Sequence, residues 1–146
     1  MSRGLDLNIE HFPILYLKIG SKYDEADLRA FEAEMKPIFE RRQKYVMIVE
    51  TSSTSYLPDA RMRKAVVEWW KEMAEVQKRW NLGTAIMVSS APIRGALTAL
   101  SWLFTSPTPQ TFVSNLEEAL AWSEKLLREA EITPPDLSAL RRRTAG

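Results

Sequence analysis

A long amphipathic helix pattern between two short apolar runs constrains the fold more than any other feature. The helix pattern is carried by apolar residues spaced three or four apart, the period of one helix face. These residues are Met62, Val66, Trp69, Met73, Val76 and Trp80. The apolar runs at 45–49 and 84–88 are typical of strands covered on both faces. The order strand, helix, strand predicts a parallel pair joined by a right-handed crossover.

The remaining segments extend this unit into an α/β domain. Residues 5–19 carry two strand patterns separated by a short break, which predicts an N-terminal hairpin. Further helices are predicted after Asp24, over 93–104 and after Ser114, with a weaker strand over 110–113. The order β-β-α-β-α-β-α-β-α predicts a mostly parallel sheet of about five strands, with the hairpin strand at its edge and helices packed on it.

Chain length and composition favour one folded domain. The chain has 146 residues, of which 45% are hydrophobic and 27% charged, so the bulk of it is not disordered. We expect this domain to cover residues 1–132. Thr133, Pro134 and Pro135 end the last predicted helix, and residues 133–146 are predicted to form a flexible, arginine-containing tail.

Several classes of function are disfavoured by composition. With 20 Lys+Arg against 19 Asp+Glu, the chain lacks the positive charge that drives nucleic-acid binding. It has no cysteine, His11 is its single histidine, and its five glycines form no phosphate-binding loop. We therefore expect no metal, no cofactor and no enzymatic activity. No segment reads as a signal peptide or a spanning helix, so a cytoplasmic location is expected.

A hydroxyl-rich loop is the first candidate site. Ser52, Ser53, Thr54 and Ser55 follow the predicted C-terminal end of a central strand, where open α/β sheets usually place their sites. The alternative interpretation is a solvated connection that uses Ser and Thr to form turns.

Two further candidates lie in the predicted helix 93–104. Arg94 falls in its first turn, where free N–H groups attract anions, so Arg94 is a candidate anion or ligand contact unless a neighbouring carboxylate explains it. The helix is apolar nearly all round, which indicates either a central position or burial by a partner subunit. We expect self-association through four large apolar residues of this helix. They are Leu97, Leu100, Trp102 and Phe104.

Three segments, together with the element order, resemble the STAS superfamily. They are VMIVETSSTSYLPDARMRKAV, IMVSSAPIRGALTALSWLF and NLEEALAW. The similarity is to the bacterial anti-sigma-factor antagonists and their sporulation-antagonist-like branch. In regulatory members a serine or threonine at the start of the helix after the central strand is phosphorylated by a kinase partner. Asp59 occupies about that place here, and the usual Asp-Ser-Ser/Thr-Gly run is not kept.

The resemblance implies a non-enzymatic regulatory or protein-interaction domain of bacterial, anti-sigma-factor antagonist type. The partner-facing surface would be the loop with Ser52, Ser53, Thr54, Ser55 and Asp59. Its partners would be proteins, including further copies of the chain. The alternative is a carrier or sensor of a small anionic or lipid-like ligand that uses Arg94 and the same loop.

Overall fold

The computed structural model describes most of the chain. The described residues are 4–20, 22–51, 60–88, 91–92, 94–95, 98–99 and 108–145. The strands are β1 (Leu5–Asn8), β2 (Ile14–Ile19), β3 (Tyr45–Glu50), β4 (Asn81–Met87) and β5 (Gln110–Val113). The helices are α1 (Glu25–Glu40), α2 (Ala60–Trp80), α3 (Leu116–Glu129) and α4 (Ser138–Ala145). Residues 91–92, 94–95 and 98–99 are also helical.

One five-stranded sheet has the order β1-β2-β3-β4-β5. Strand β1 lies at the edge and pairs with β2 in the antiparallel direction, whereas the pairs β2/β3, β3/β4 and β4/β5 are parallel. The predicted α/β fold with a mostly parallel sheet is therefore confirmed. Because the three parallel strands after β2 end at the same edge, their connections to the following helices also meet there.

Helices cover both faces of the sheet. On one face, Leu15, Leu17 and Met47 belong to a core cluster with residues of α1 and α2. On the opposite face, Val46 and Ile48 pack in a second cluster with residues of α3 and α4. Neighbouring residues of β3 thus point into different cores, which is why its sequence is an unbroken apolar run.

Helix α1 begins with a capping box. The carboxylate of Asp24 accepts a hydrogen bond from the backbone N–H of Asp27, and the Asp27 carboxylate accepts one from the N–H of Asp24. The helix continues through Pro37 to Glu40, although proline lacks the N–H that a helix interior uses. Both Pro37 and Ala33, whose carbonyl loses a helical donor, are exposed, so water can satisfy that carbonyl.

The C-terminal segment departs from the predicted flexible tail over residues 133–146. It contains helix α4, and Leu137 and Leu140 are only 3% and 2% exposed in the second core cluster. The side chain of Arg141 also forms ion pairs with Glu117 and Glu124 of α3. Burial of two leucine side chains is worth roughly 1.5–3 kcal/mol each, enough to dock a short helix.

Candidate functional site

A cavity of about 180 Å³ lies between the sheet and helices α1 and α2. Every strand contributes to its floor, and the loop before α1, both helices and Thr108 complete the lining. The sheet contributes Leu5, Leu17, Ile19, Met47, Val49, Asn81, Thr84, Ile86, Gln110 and Phe112. The other lining residues are Tyr23, Leu28, Phe31, Val66, Trp69, Trp70, Gln77 and Thr108.

Aromatic and aliphatic side chains form most of the cavity wall. The rings of Phe31 and Trp69 pack against each other with centroids 5.3 Å apart and planes at 55°. Trp69 is buried, whereas Trp70 and Val66 of the same helix are half-buried. A lining of this kind offers dispersion contacts and little charge, so it suits an apolar molecule.

Polar residues near the C-terminal end of α2 and in the first half of β4 interrupt this apolar lining. We call Gln77, Asn81 and Thr84 the polar wall. The Nδ2 amide of Asn81 donates to Gln77 Oε1 at 2.8 Å and to Thr84 Oγ1 at 3.2 Å. Its Oδ1 accepts from the backbone N–H of Gly83 at 2.9 Å. The wall is thus held by hydrogen bonds between its members and the backbone of β4.

Tyr45 fixes the polar wall from the core side. Its hydroxyl donates to Gln77 Oε1 at 3.0 Å, and its side chain is fully buried at the start of β3. Burial raises the pKa of Tyr45 well above its usual value. The hydroxyl therefore remains a neutral donor throughout the physiological range.

Arg94 lies beside the cavity. It is exposed, and its guanidinium carbon is 5.8 Å from the centre of the Phe112 ring. Phe112 lines the cavity and is 38% exposed, which is high for a large apolar side chain. The structure thus brings the sequence-predicted candidate Arg94 next to a cavity residue on β5.

The structure describes Thr51, the residue immediately before the hydroxyl-rich loop. Thr51 is buried at the end of β3, and both its backbone N–H and its hydroxyl donate to the carbonyl of Met87, at 3.2 and 2.6 Å. Thr51 therefore ties the start of the loop to β4. The predicted partner-loop residues, Ser52, Ser53, Thr54, Ser55 and Asp59, lie outside the described residues.

The residues predicted to mediate self-association also lie outside the described part of the chain. They are Leu97, Leu100, Trp102 and Phe104. Self-association through them stays a prediction.

The described residues offer no alternative metal centre. Within them, no three His, Asp or Glu side chains are grouped closely enough to hold a metal ion. His11 is half-buried, and its Nε2 atom is buried without a hydrogen-bond partner. Nor is any helix in the described ranges long and apolar enough to cross a membrane.

Comparisons with known proteins give one structural similarity. No protein-family model matches the chain, and no curated protein is significantly similar to it in sequence. Among solved structures, the chain is similar to one of an anti-sigma factor antagonist. That structure is the crystal structure of an anti-sigma factor antagonist from Mycobacterium paratuberculosis. It has a TM-score of 0.49 and 12% identity, over 82% of this chain and 92% of that one.

The polar wall was not predicted from the sequence. A signal was present, because Gln77 follows Trp70 and Met73 at the three- and four-residue spacing of the apolar stripe. A polar residue at an apolar position of a helix marks a side chain that needs a buried partner.

Proposed function

We propose that this protein is a non-enzymatic, STAS-like regulatory domain that senses or carries a small, largely apolar molecule. The cavity between the sheet and helices α1 and α2 carries this proposal. The proposed function is the ligand-carrier alternative of the sequence analysis. The proposed ligand site, however, lies on the face of the sheet and not at the loop.

The size of the cavity limits its ligand. An engineered apolar protein cavity of roughly 150 Å³ holds one benzene molecule. At about 180 Å³, this cavity suits a substituted single ring or an alkyl group of similar bulk. Of the anionic and lipid-like ligands that the sequence left open, the apolar lining favours the lipid-like one, and Arg94 beside Phe112 would accommodate a negative charge on it.

Two measurements test the proposed function. Native mass spectrometry of the purified protein is expected to show a copurified small molecule. Mild denaturation and refolding should then remove that molecule and leave the empty protein. Titration of the empty protein with ethylbenzene is then expected to change the tryptophan emission, because Trp69 and Trp70 line the cavity. A flat titration, confirmed by calorimetry, would contradict the proposal.

A second candidate function is docking of a protein partner on the loop with Ser52, Ser53, Thr54, Ser55 and Asp59. The hydrogen bonds from Thr51 to Met87 favour it, because they anchor one end of the loop to the C-terminal edge of the sheet. A phosphate added there would contribute about −1.5 to −2 charges.

The test for this second function is a pull-down from the native host. Its baits are the wild type, a Ser52/Ser53/Ser55 triple alanine variant and Asp59→Lys, each first shown to be folded by circular dichroism. We expect the variants to recover less of a specific partner. Equal recovery of the same proteins by all three would reduce the loop to a connector.

A further inference from the structure

The orientation of the amide groups in the polar wall can be worked out from the backbone. The N–H of Gly83 can only donate, so the Asn81 atom that it contacts at 2.9 Å is the carbonyl Oδ1. The Nδ2 amide of Asn81 is therefore the atom 2.8 Å from Gln77. An amide can only donate, so Gln77 presents Oε1 to it.

The Gln77 side chain is consequently oriented as well. Its Oε1 accepts from two donors, Asn81 Nδ2 and the Tyr45 hydroxyl, which uses both of its lone pairs. Both hydrogen bonds recorded for the Gln77 side chain go to Oε1. The Nε2 amide is left with two donor hydrogens in a residue that lines the cavity.

We infer that the ligand carries a hydrogen-bond acceptor, a carbonyl or carboxylate, which Gln77 Nε2 binds while the apolar body of the ligand fills the cavity. This inference rests on the proposed function and adds the polar half of the ligand to it. A purely apolar molecule would cover Nε2 and deprive it of water without giving it a partner. An acceptor on the ligand takes the place of that water, so the site should bind such a ligand in preference to a purely apolar one.

Gln77→Glu is the variant that isolates this donor. The new carboxylate still accepts from the Tyr45 hydroxyl and Asn81 Nδ2, and it is close in shape to the amide, but it has no donor when ionised. The exposed residue Gln43, which does not line the cavity, allows the same chemical change as a matched control, Gln43→Glu.

The experiment compares acetophenone with ethylbenzene at pH 8 by calorimetry, in the wild type and both variants. The two compounds are close in size, and only acetophenone has a carbonyl acceptor. The ratio of their affinities within one protein is compared between proteins, so differences in ligand hydration cancel. One hydrogen bond between neutral groups makes a modest contribution to binding free energy. We therefore expect Gln77→Glu to lower the ratio of acetophenone affinity to ethylbenzene affinity by roughly two- to tenfold. Gln43→Glu should leave it unchanged.

The outcomes separate the inference from the proposed function. Binding of both compounds with the same ratio in the wild type and Gln77→Glu would overturn the inference and leave the cavity function standing. Failure of both compounds to bind the wild type would overturn the proposed function, and the inference with it. Ethylbenzene binding by Gln77→Glu reports whether that variant has formed its cavity.

Discussion

Filling the cavity from helix α2 should abolish ligand binding without unfolding the protein. Val66 lines the cavity and is half-buried, and Val66→Phe adds four carbons at that point. At roughly 0.8 kcal/mol per buried carbon, the added atoms can contribute up to about 3 kcal/mol of stability. Overpacking costs about 1–3 kcal/mol. The free energy of unfolding should therefore rise by no more than about 2 kcal/mol or fall by no more than about 3 kcal/mol.

The effect on binding is larger, because the cavity has little spare volume. Ethylbenzene at one hundred times its dissociation constant stabilises a binding protein by about 2.7 kcal/mol. For a domain near 150 residues this corresponds to a rise in melting temperature of roughly 5–10 °C. We expect that rise in the wild type and less than about 2 °C in Val66→Phe at the same ligand concentration.

A matched control separates cavity filling from a general effect of phenylalanine on the helix. Val76 is a half-buried valine of α2 that does not line the cavity, so Val76→Phe should keep the ligand-induced rise. The assay is a thermal melt followed by circular dichroism, with and without ethylbenzene. An undiminished rise in Val66→Phe, with normal melting in the absence of ligand, would refute the assignment of the binding site.

Three further predictions concern stability and assembly. Leu140→Ala should lower the free energy of unfolding by about 2–4 kcal/mol in urea titrations, because Leu140 is 2% exposed; a loss below about 0.5 kcal/mol would show that α4 is not docked. Because burial raises the pKa of Tyr45, its unfolded form ionises first as the pH rises. Stability should therefore fall above about pH 10, the ordinary tyrosine value, and Tyr45→Phe should flatten this fall; equal slopes would contradict it. If the chain self-associates as its sequence predicts, light scattering should show an oligomer that Leu100→Glu disrupts, and a wild-type monomer would refute that prediction.

The periodicity of the sequence was sufficient to predict the architecture. The two apolar runs form β3 and β4, and the helix pattern between them forms α2, which has 21 residues. Two strands that are apolar on both faces must be covered on both faces, which favours a parallel sheet between layers of helices. The short helix α4 escaped prediction because its hydropathic signal is confined to Leu137 and Leu140, beside three consecutive arginines. Its docking depends on a groove that only the folded sheet and α3 create.

The cavity could not be predicted from the sequence, because it depends on how closely helices approach the sheet. Val66 and Val67 are adjacent valines of α2, and the sequence does not indicate which of them borders a cavity. In the structure Val67 is buried, whereas Val66 lines the cavity. Of the predicted site residues, Arg94 lies beside the cavity residue Phe112, and its role as a ligand contact stays a prediction.

The most direct test of the ligand-binding function is a set of nuclear Overhauser contacts between protonated ethylbenzene and methyl-labelled protein. The account predicts contacts to the methyl groups of Met47 and Val66, which line the cavity on opposite sides. Leu120 and Leu140, in the core on the other face of the sheet, should show none. Contacts to Leu120 or Leu140, or the absence of contacts to Met47 and Val66 at a saturating ligand concentration, would contradict it.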